Sequence, residues 1–499
     1  MSAGRKTSPK PTSRERTLLD RLERGAERRS WGIEQKLKPT RTEIDPASFR
    51  DPSGFVFRGP DGLVYRQVNK LYESNYRRLM DSGLYEELTE AGLMVSHEEV
   101  DSPADDSCRI LRPHQMEFIS YPYEWSFSMY KDAALATLDV QRRAMRRGMT
   151  LKDASSYNIQ FDRGKPVFID TLSFEEYVPG SPWVAYGQFC SHFLAPIALM
   201  SFTDIRLQRL METFIDGVPL DLAARLLPRK ARLRPGLVMH LFLHAWMQRK
   251  YSDTSAEDTK PAKKPMVNET GVRALADTLS SLVKRFNWKP AGTEWADYYA
   301  TSSYDTDAIE EKKRIVGEFI ERTSPATVWD LGANTGLFST IAAQKGARTI
   351  AFDIDPACVE ICYSDAKRQG EKNLLALRSD LTNPSPGIGW AHSERKSFVD
   401  RGPADLVMML ALIHHLSIAN NLPLVQVAEF AKLLCSWLII EWVPKDDPQV
   451  RRLLRNRVDI FDAYTQESFE VEFGRFFTVA DSRPVGSDGR VLYLLEGKG

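Results

Sequence analysis

The sequence predicts an α/β protein, with a largely parallel sheet in its C-terminal half, an antiparallel hairpin closing that sheet, and an α+β domain ahead of it. Three observations carry this. Apolar strand-like runs alternate with helical patterns from residue 327 onward, which is how a sheet with helical crossovers is written in sequence. A Gly-rich turn, Gly332 to Gly336, joins the first of those runs to a helix. SDTSAEDTKPAKKP (252–265) lacks apolar periodicity and reads as a linker. At 499 residues the chain exceeds one ordinary core. The expected division is a flexible basic arm at 1–45, an α+β domain at 46–251, the linker at 252–265 and an α/β domain at 266–499.

In the C-terminal half the strand-like runs are TVWDL, TIAFDI, LLALRSD, ADLVMMLAL and SWLIIEWV, with helical patterns such as PACVEICYSDAKRQG and LPLVQVAEFAKLL between them. The last stretch, FFTVADSRPVGSDGRVLYLLEG, holds two runs around the turn signal GSDG and reads as the hairpin. Within VWDLGANTGLFS (328–339), Gly332 and Gly336 allow a tight turn and the close approach of a ligand to backbone. Asp353 follows at the tip of the next strand, where a carboxylate can accept hydrogen bonds from ribose hydroxyls.

Asp330, Gly332, Asn334 and Gly336 form a D-x-G-x-N-x-G pattern that resembles motif I of class I S-adenosylmethionine-dependent methyltransferases. The resemblance covers about residues 295–499 and implies a Rossmann-like methyltransferase domain. It also implies that the glycine loop lies against the methionine end of S-adenosylmethionine, that Asp353 holds the ribose and that Asp380 faces the adenine amino group. WADYYATSSYDTDAIEEKKRIV (295–316), the HHL after ADLVMMLALI, and EWVPKDDPQVRRLL look like the nodulation-protein (NoeA-like) methyltransferases.

Methyl transfer from a sulfonium is an in-line displacement, so the protein has to align two groups and, for some acceptors, remove a proton. Acceptor-facing groups are expected after the fourth and fifth strands, at the carboxyl ends of parallel strands. His414 and His415 follow the fourth, and Glu441 and Trp442 end the fifth. His415 or Glu441 is the expected assisting base; the alternative is that the His pair only packs and bonds backbone. The acceptor's class is not written in the sequence. A nucleic acid is disfavoured because neither an NPPY-like tetrapeptide nor a Pro-Cys nucleophile follows the fourth strand.

The N-terminal half raises a second chemistry. In KDASSYNIQFDRGKPVFID (152–170), Asp153 and Asn158 have the D-x-x-x-x-N separation of a kinase catalytic loop, and Asp170 ends the strand-like run GKPVFID. NIQFDRGKPVFID reads as a hairpin with its turn at 162–164, SGFVFRGPDGLVYRQV as another, and KLYESNYRRLMDSGLYEELTEAG as a helix. The order resembles a protein-kinase-like domain over about residues 50–250, in which Asn158 and Asp170 would hold the metal of Mg-ATP. The departures are specific. Asp170-Thr171-Leu172 replaces DFG, Leu151-Lys152-Asp153 replaces HRD, and Arg66 or Lys70 would have to stand in for the usual lysine. The competing account is that Asp153 caps a turn and Asp170 simply ends a strand.

Bulk properties add little. The 67 basic and 67 acidic residues cancel, so global charge favours neither nucleic acid nor a membrane surface. The start lacks a signal peptide's apolar core, no run reaches the length of a membrane helix, and five cysteines without a CxxC pair suit buried thiols. A cytoplasmic protein with no membrane partner is expected. The leading function is S-adenosylmethionine-dependent methyl transfer with the N-terminal domain recruiting or regulating. The alternative is an ATP-binding, kinase-like or regulatory protein whose C-terminal half senses the cofactor.

Overall fold

The computed structural model of the chain describes residues 44–100, 107–252, 268–290, 306–455 and 457–499. It divides into two compact units, one running to Glu73 and including His97–Pro113, the other made of Ser74–Ser96 and His114–Gly499. The expected arm and linker lie outside the described residues, apart from the last two residues of the arm and Ser252 at the start of the linker.

The first unit holds a four-stranded antiparallel sheet of β1 (Gly54–Arg58), β2 (Val64–Asn69), β3 (His97–Val100) and β4 (Ser107–Pro113), in the order β1-β2-β4-β3. The β1–β2 hairpin is the one expected at 53–68, and Phe57, Tyr65 and Ile110 form its buried cluster.

In the second unit, the helix expected over 70–92 is instead two, Glu73–Asp81 and Leu84–Glu90. Gly83 separates them at φ 71°, a left-handed conformation that ends a helix. The long helix Phe127–Arg146 follows, capped by Ser126 accepting from Met129 N. Next come β5 (Met149–Leu151), β6 (Ile159–Asp162), β7 (Lys165–Phe168) and β8 (Phe174–Glu176). β6 and β7 are the expected hairpin, turning at Arg163 and Gly164, both with positive φ.

The C-terminal sheet has seven strands: β9 (Thr327–Leu331), β10 (Arg348–Asp353), β11 (Leu374–Arg378), β12 (Ala404–Met409), β13 (Cys435–Trp442), β14 (Phe477–Val485) and β15 (Arg490–Gly497). Their order is β11-β10-β9-β12-β13-β15-β14. β9 to β13 pair in parallel, and the β14–β15 hairpin adds antiparallel to β13. Because successive strand residues face opposite sides, the apolar runs sort into two cores. Val328, Leu406, Met408 and Ile439 pack with Ile315, Phe319 and Ala342 of the helices Thr306–Thr323 and Leu337–Gln344. Trp329, Phe352, Val407 and Ile440 join a core that continues without a break into Tyr130, Phe161 and Phe193.

That continuity is why compactness does not divide the chain at the linker. The helix Phe127–Arg146 is buried along most of its length between the helices Glu269–Arg285 and Pro356–Gln369. Ser128 N donates to Glu360 Oε2 at 2.9 Å, Tyr363 OH to Asp132 Oδ2 at 2.7 Å, and Lys131 Nζ to the Phe286 carbonyl at 2.6 Å. Composition marks the connection; it says nothing of what packs on either side.

Candidate active site

The strand order reverses direction at β9. From there the chain lays β10 and β11 to one side, then crosses over to β12 and β13 on the other. Such a switch point opens a crevice at the carboxyl ends of the strands. A cavity of about 240 Å³ is found there, lined among others by Asp330, Gly332, Asn334, Asp353, Asp380 and His415.

The turn after β9 builds its wall. Gly332 N and Ala333 N both donate to the Phe352 carbonyl at 2.9 Å, tying the turn to β10. Gly332 has φ 75°, and a Cβ there would come within 3.1 Å of Leu412 Cδ1, on the far wall. Gly336, at φ 84°, sits where a Cβ would overlap the Cys362 sulfur. Asn334 N donates to Asp353 Oδ2 at 2.7 Å and Asp355 N to Asp353 Oδ1 at 2.8 Å, so the carboxylate is held in place with lone pairs left on both oxygens. Burial pushes the Asp353 pKa up to about 6 and that of Asp330 up to about 7. Ser339 Oγ donates to Asp330 Oδ2 at 2.5 Å, which keeps the buried acid oriented. Asp380 accepts from Thr382 N at 2.9 Å and Thr382 Oγ1 at 2.7 Å, both on Oδ1, so Oδ2 keeps its lone pairs for a donor such as an exocyclic amine.

The residues thus fit an adenosyl cofactor: a tight glycine turn whose residues line the cavity, and carboxylates at the tips of β10 and β11. Asp330, Gly332, Asn334, Asp353 and Asp380 line the cavity, and Gly336 caps the helix behind it.

The two expected bases separate. His415 lines the cavity, and burial pushes its pKa down to about 4, so at neutral pH it is a neutral imidazole that accepts hydrogen bonds and takes up protons weakly. His414, 4.2 Å away between ring centroids, is turned into the protein and is also driven well below the usual range by burial. Glu441 is fully buried and outside the cavity lining. Its Oε2 accepts from Lys312 Nζ at 2.6 Å and its Oε1 from Arg490 Nη1 at 3.2 Å, while Arg490 Nε also reaches Asp447 Oδ2 at 2.8 Å. Glu441 is thus held between two cations, as a structural counter-ion is.

Sequence reasoning passed over Lys312. It lines the cavity with its ammonium 4.9 Å above the Phe338 ring. The signal was present: Ile309, Lys312, Ile315, Val316 and Phe319 recur at helical spacing, so Lys312 interrupts an apolar stripe.

In the N-terminal region Asp153, Asn158 and Asp170 come together. Burial first, and then the Asp170 charge, raises the Asp153 pKa, with Asn158 as a hydrogen-bond partner. Asn158 Nδ2 also donates to Ser173 Oγ at 3.2 Å, and Asp170 caps its own turn by accepting from Leu172 N at 3.2 Å and from the Ser173 hydroxyl. Among the described residues no group of three or more His, Cys, Asp or Glu side chains could hold a metal ion.

No protein-family model matches the chain. The nodulation protein NoeA of Rhizobium meliloti (strain 1021) is 35% identical over 466 residues, spanning 90% of this chain and 95% of that protein. The chain belongs to the NoeA family. Solved structures similar to this NoeA-family chain include magnesium protoporphyrin IX methyltransferase (ChlM) from Synechocystis PCC 6803, at 17% identity, 41% of this chain, 93% of that one and a TM-score of 0.30. The N-methyltransferase NodS from Bradyrhizobium japonicum WM9 is similar at 10% identity, 39% and 99% coverage and 0.28, and WbdD at 15%, 43% and 46%, and 0.29. The methyltransferase fold of this family member rests on its own strand order, with the antiparallel last strand inserted next to β13.

Proposed function

We propose that this NoeA-family chain is an S-adenosylmethionine-dependent methyltransferase that binds its cofactor in the crevice at the β9–β12 switch point. The observation that carries the reading is the pairing of the bare Gly332 turn with the Asp353 carboxylate, one joined to the other by the 2.7 Å bond from Asn334 N. When bound, the cofactor supplies an electrophilic methyl on sulfur. Asp353 would accept from the ribose hydroxyls and Asp380 from the adenine amine. Gly332 would let the methionine end approach the backbone of the turn. His415 would orient an acceptor hydroxyl or amine through its neutral ring, a positioning task suited to its lowered basicity. Glu441 would act only through Lys312, by fixing that ammonium at the cavity wall. The five cysteines are free thiols, which suits the reducing cytoplasm.

Calorimetric titration with S-adenosylmethionine tests the reading. Saturable one-site binding by the wild type that weakens at least tenfold in Asp353→Ala is expected; absence of wild-type binding would overturn it.

A second reading is supported by the convergence of Asp153, Asn158 and Asp170, in which the N-terminal region binds Mg-ATP and regulates the C-terminal site. The capping of Asp170 on its own turn weighs against it. ATP-dependent thermal stabilisation of the wild type, lost in Asp170→Ala, would favour this second reading; no stabilisation would leave the cluster a turn-capping device.

A further inference from the structure

The helical run from Pro235 to Ser252, with a π-helical turn at Val238–Phe242, is apolar on both its faces as far as Met247. Leu237, Leu241 and Ala245 are fully buried on the inner one, and His240 joins them with Nδ1 2.9 Å from the Tyr186 hydroxyl. The outer face carries Val238, Met239, Leu243 and Met247, exposed to 41, 58, 46 and 39%, with Trp246 exposed to 53% beside them. Leu233, 81% exposed, extends the same surface just ahead of the helix. Helices apolar all round are found buried or at membranes, and a contiguous apolar patch of this kind marks an interaction site.

The charge beside the patch selects the partner. Residues 222–252 contain seven Arg and Lys, of which Arg225 is paired with Asp221 at 2.9 Å, within a chain whose total charge is zero. Four of them, Arg229, Lys230, Arg232 and Arg234, are exposed on and beside the 3-10 turn Arg229–Leu233, directly before the helix. Arg232 lies 5.3 Å over the Phe242 ring, which ties the basic turn to the helix. Exposed Leu, Met and Trp beside four exposed cations is the composition of a helix lying in the plane of a bilayer interface, apolar face down and cations at the phosphates. No helix among the described residues is long and apolar enough to cross a membrane, and a helix lying flat does not need to be.

We propose that the outer face of the Pro235–Ser252 run, together with the basic turn before it, docks this protein on an anionic lipid surface. The global charge balance, which argues against a membrane partner, hides this local excess. The proposal is independent of which cofactor the β9–β12 crevice takes.

The test is co-sedimentation of the full-length chain with vesicles of phosphatidylcholine plus phosphatidylglycerol, against vesicles of phosphatidylcholine alone. Binding to the anionic vesicles only is expected, weakening about fivefold for each of Arg229, Lys230 and Arg234 changed to Gln. Binding should be lost in Met239→Glu/Leu243→Glu with circular dichroism and thermal midpoint unchanged. Absence of wild-type binding would overturn the proposal, as would equal binding by both sets of variants. So would a wild-type dimer that Met239→Glu/Leu243→Glu dissociates, which would make the face a contact between copies of the chain.

Discussion

Glu441→Gln separates a structural carboxylate from a catalytic one. Glu441 has no exposed surface, and the side chains it faces, Lys312 and Arg490, are only 5 and 6% exposed. Removing one partner of a buried ion pair costs about 3–5 kcal/mol, because the remaining charge keeps its desolvation penalty. Three contacts soften the loss here. Arg490 retains Asp447 at 2.8 Å, Lys312 retains the Phe338 ring at 4.9 Å, and the new amide oxygen still accepts one bond. The lower end, about 3 kcal/mol, is therefore expected. At a urea dependence of about 3 kcal/mol per M, the midpoint falls by about 1 M with the slope unchanged. Lys312→Met should destabilise too, and the double variant by less than the sum of the singles, since the second change removes a charge the first has left without its carboxylate. Cofactor affinity per folded molecule should change little in Glu441→Gln. A midpoint within experimental error of the wild type, with methyl transfer abolished, would refute this account and return Glu441 to the role of base.

Three further outcomes follow from the same geometry. Gly336→Ala should lose about 2–5 kcal/mol of stability in urea denaturation, the sum of about 1–2 for a left-handed non-glycine residue and about 1–3 for the overlap with Cys362. S-adenosylmethionine affinity should fall as the pH drops through about 6, where Asp353 protonates, roughly tenfold per unit further down; titrations from pH 8 to 5 that give a flat profile would remove Asp353 from the ribose site. His192 is held neutral by burial, with a folded pKa of about 3 against about 6.5 unfolded. The unfolded chain then binds the proton first, so its contribution is full above about pH 6.5 and lost as the pH falls towards 3. His192→Gln should flatten that part of the acid-unfolding curve, and an unchanged curve would contradict it.

Much of the C-terminal half could be read from sequence because a parallel sheet covered on both faces must be built from continuous apolar strands. TVWDL, ADLVMMLAL and SWLIIEWV announce themselves, and the Gly332 turn places the crevice at the end of the first. What sequence could not supply is the partner of a buried charge. Glu441 at the tip of β13 reads as a candidate base, and its pairing with Lys312, 129 positions earlier, is seen only once the chain is folded. His414 and His415 are adjacent in sequence, yet one lines the cavity and the other faces the interior, a distinction set by the π-helical turn that starts at His415. The same blindness applies to the division of the chain. The linker's composition is plain, but the Phe127–Arg146 helix packs across what would be the boundary because its apolar positions wrap around more than one face.

These cases share a cause. Local pattern reports which groups want to leave water, whereas function depends on which of them find company there. Charge behaves alike at the surface. A total of 67 basic against 67 acidic residues says nothing until the fold puts four cations at the foot of one apolar helix. In both places the informative quantity is a mismatch between a residue and the spacing around it: Lys312 inside an apolar stripe, or an outward apolar stripe on a helix whose inward one is already satisfied. Lys312 makes the mismatch good within the chain, by pairing with Glu441. The outer face of the Pro235–Ser252 run stands beside the four exposed cations of residues 229–234, which is why its partner is sought in an anionic surface.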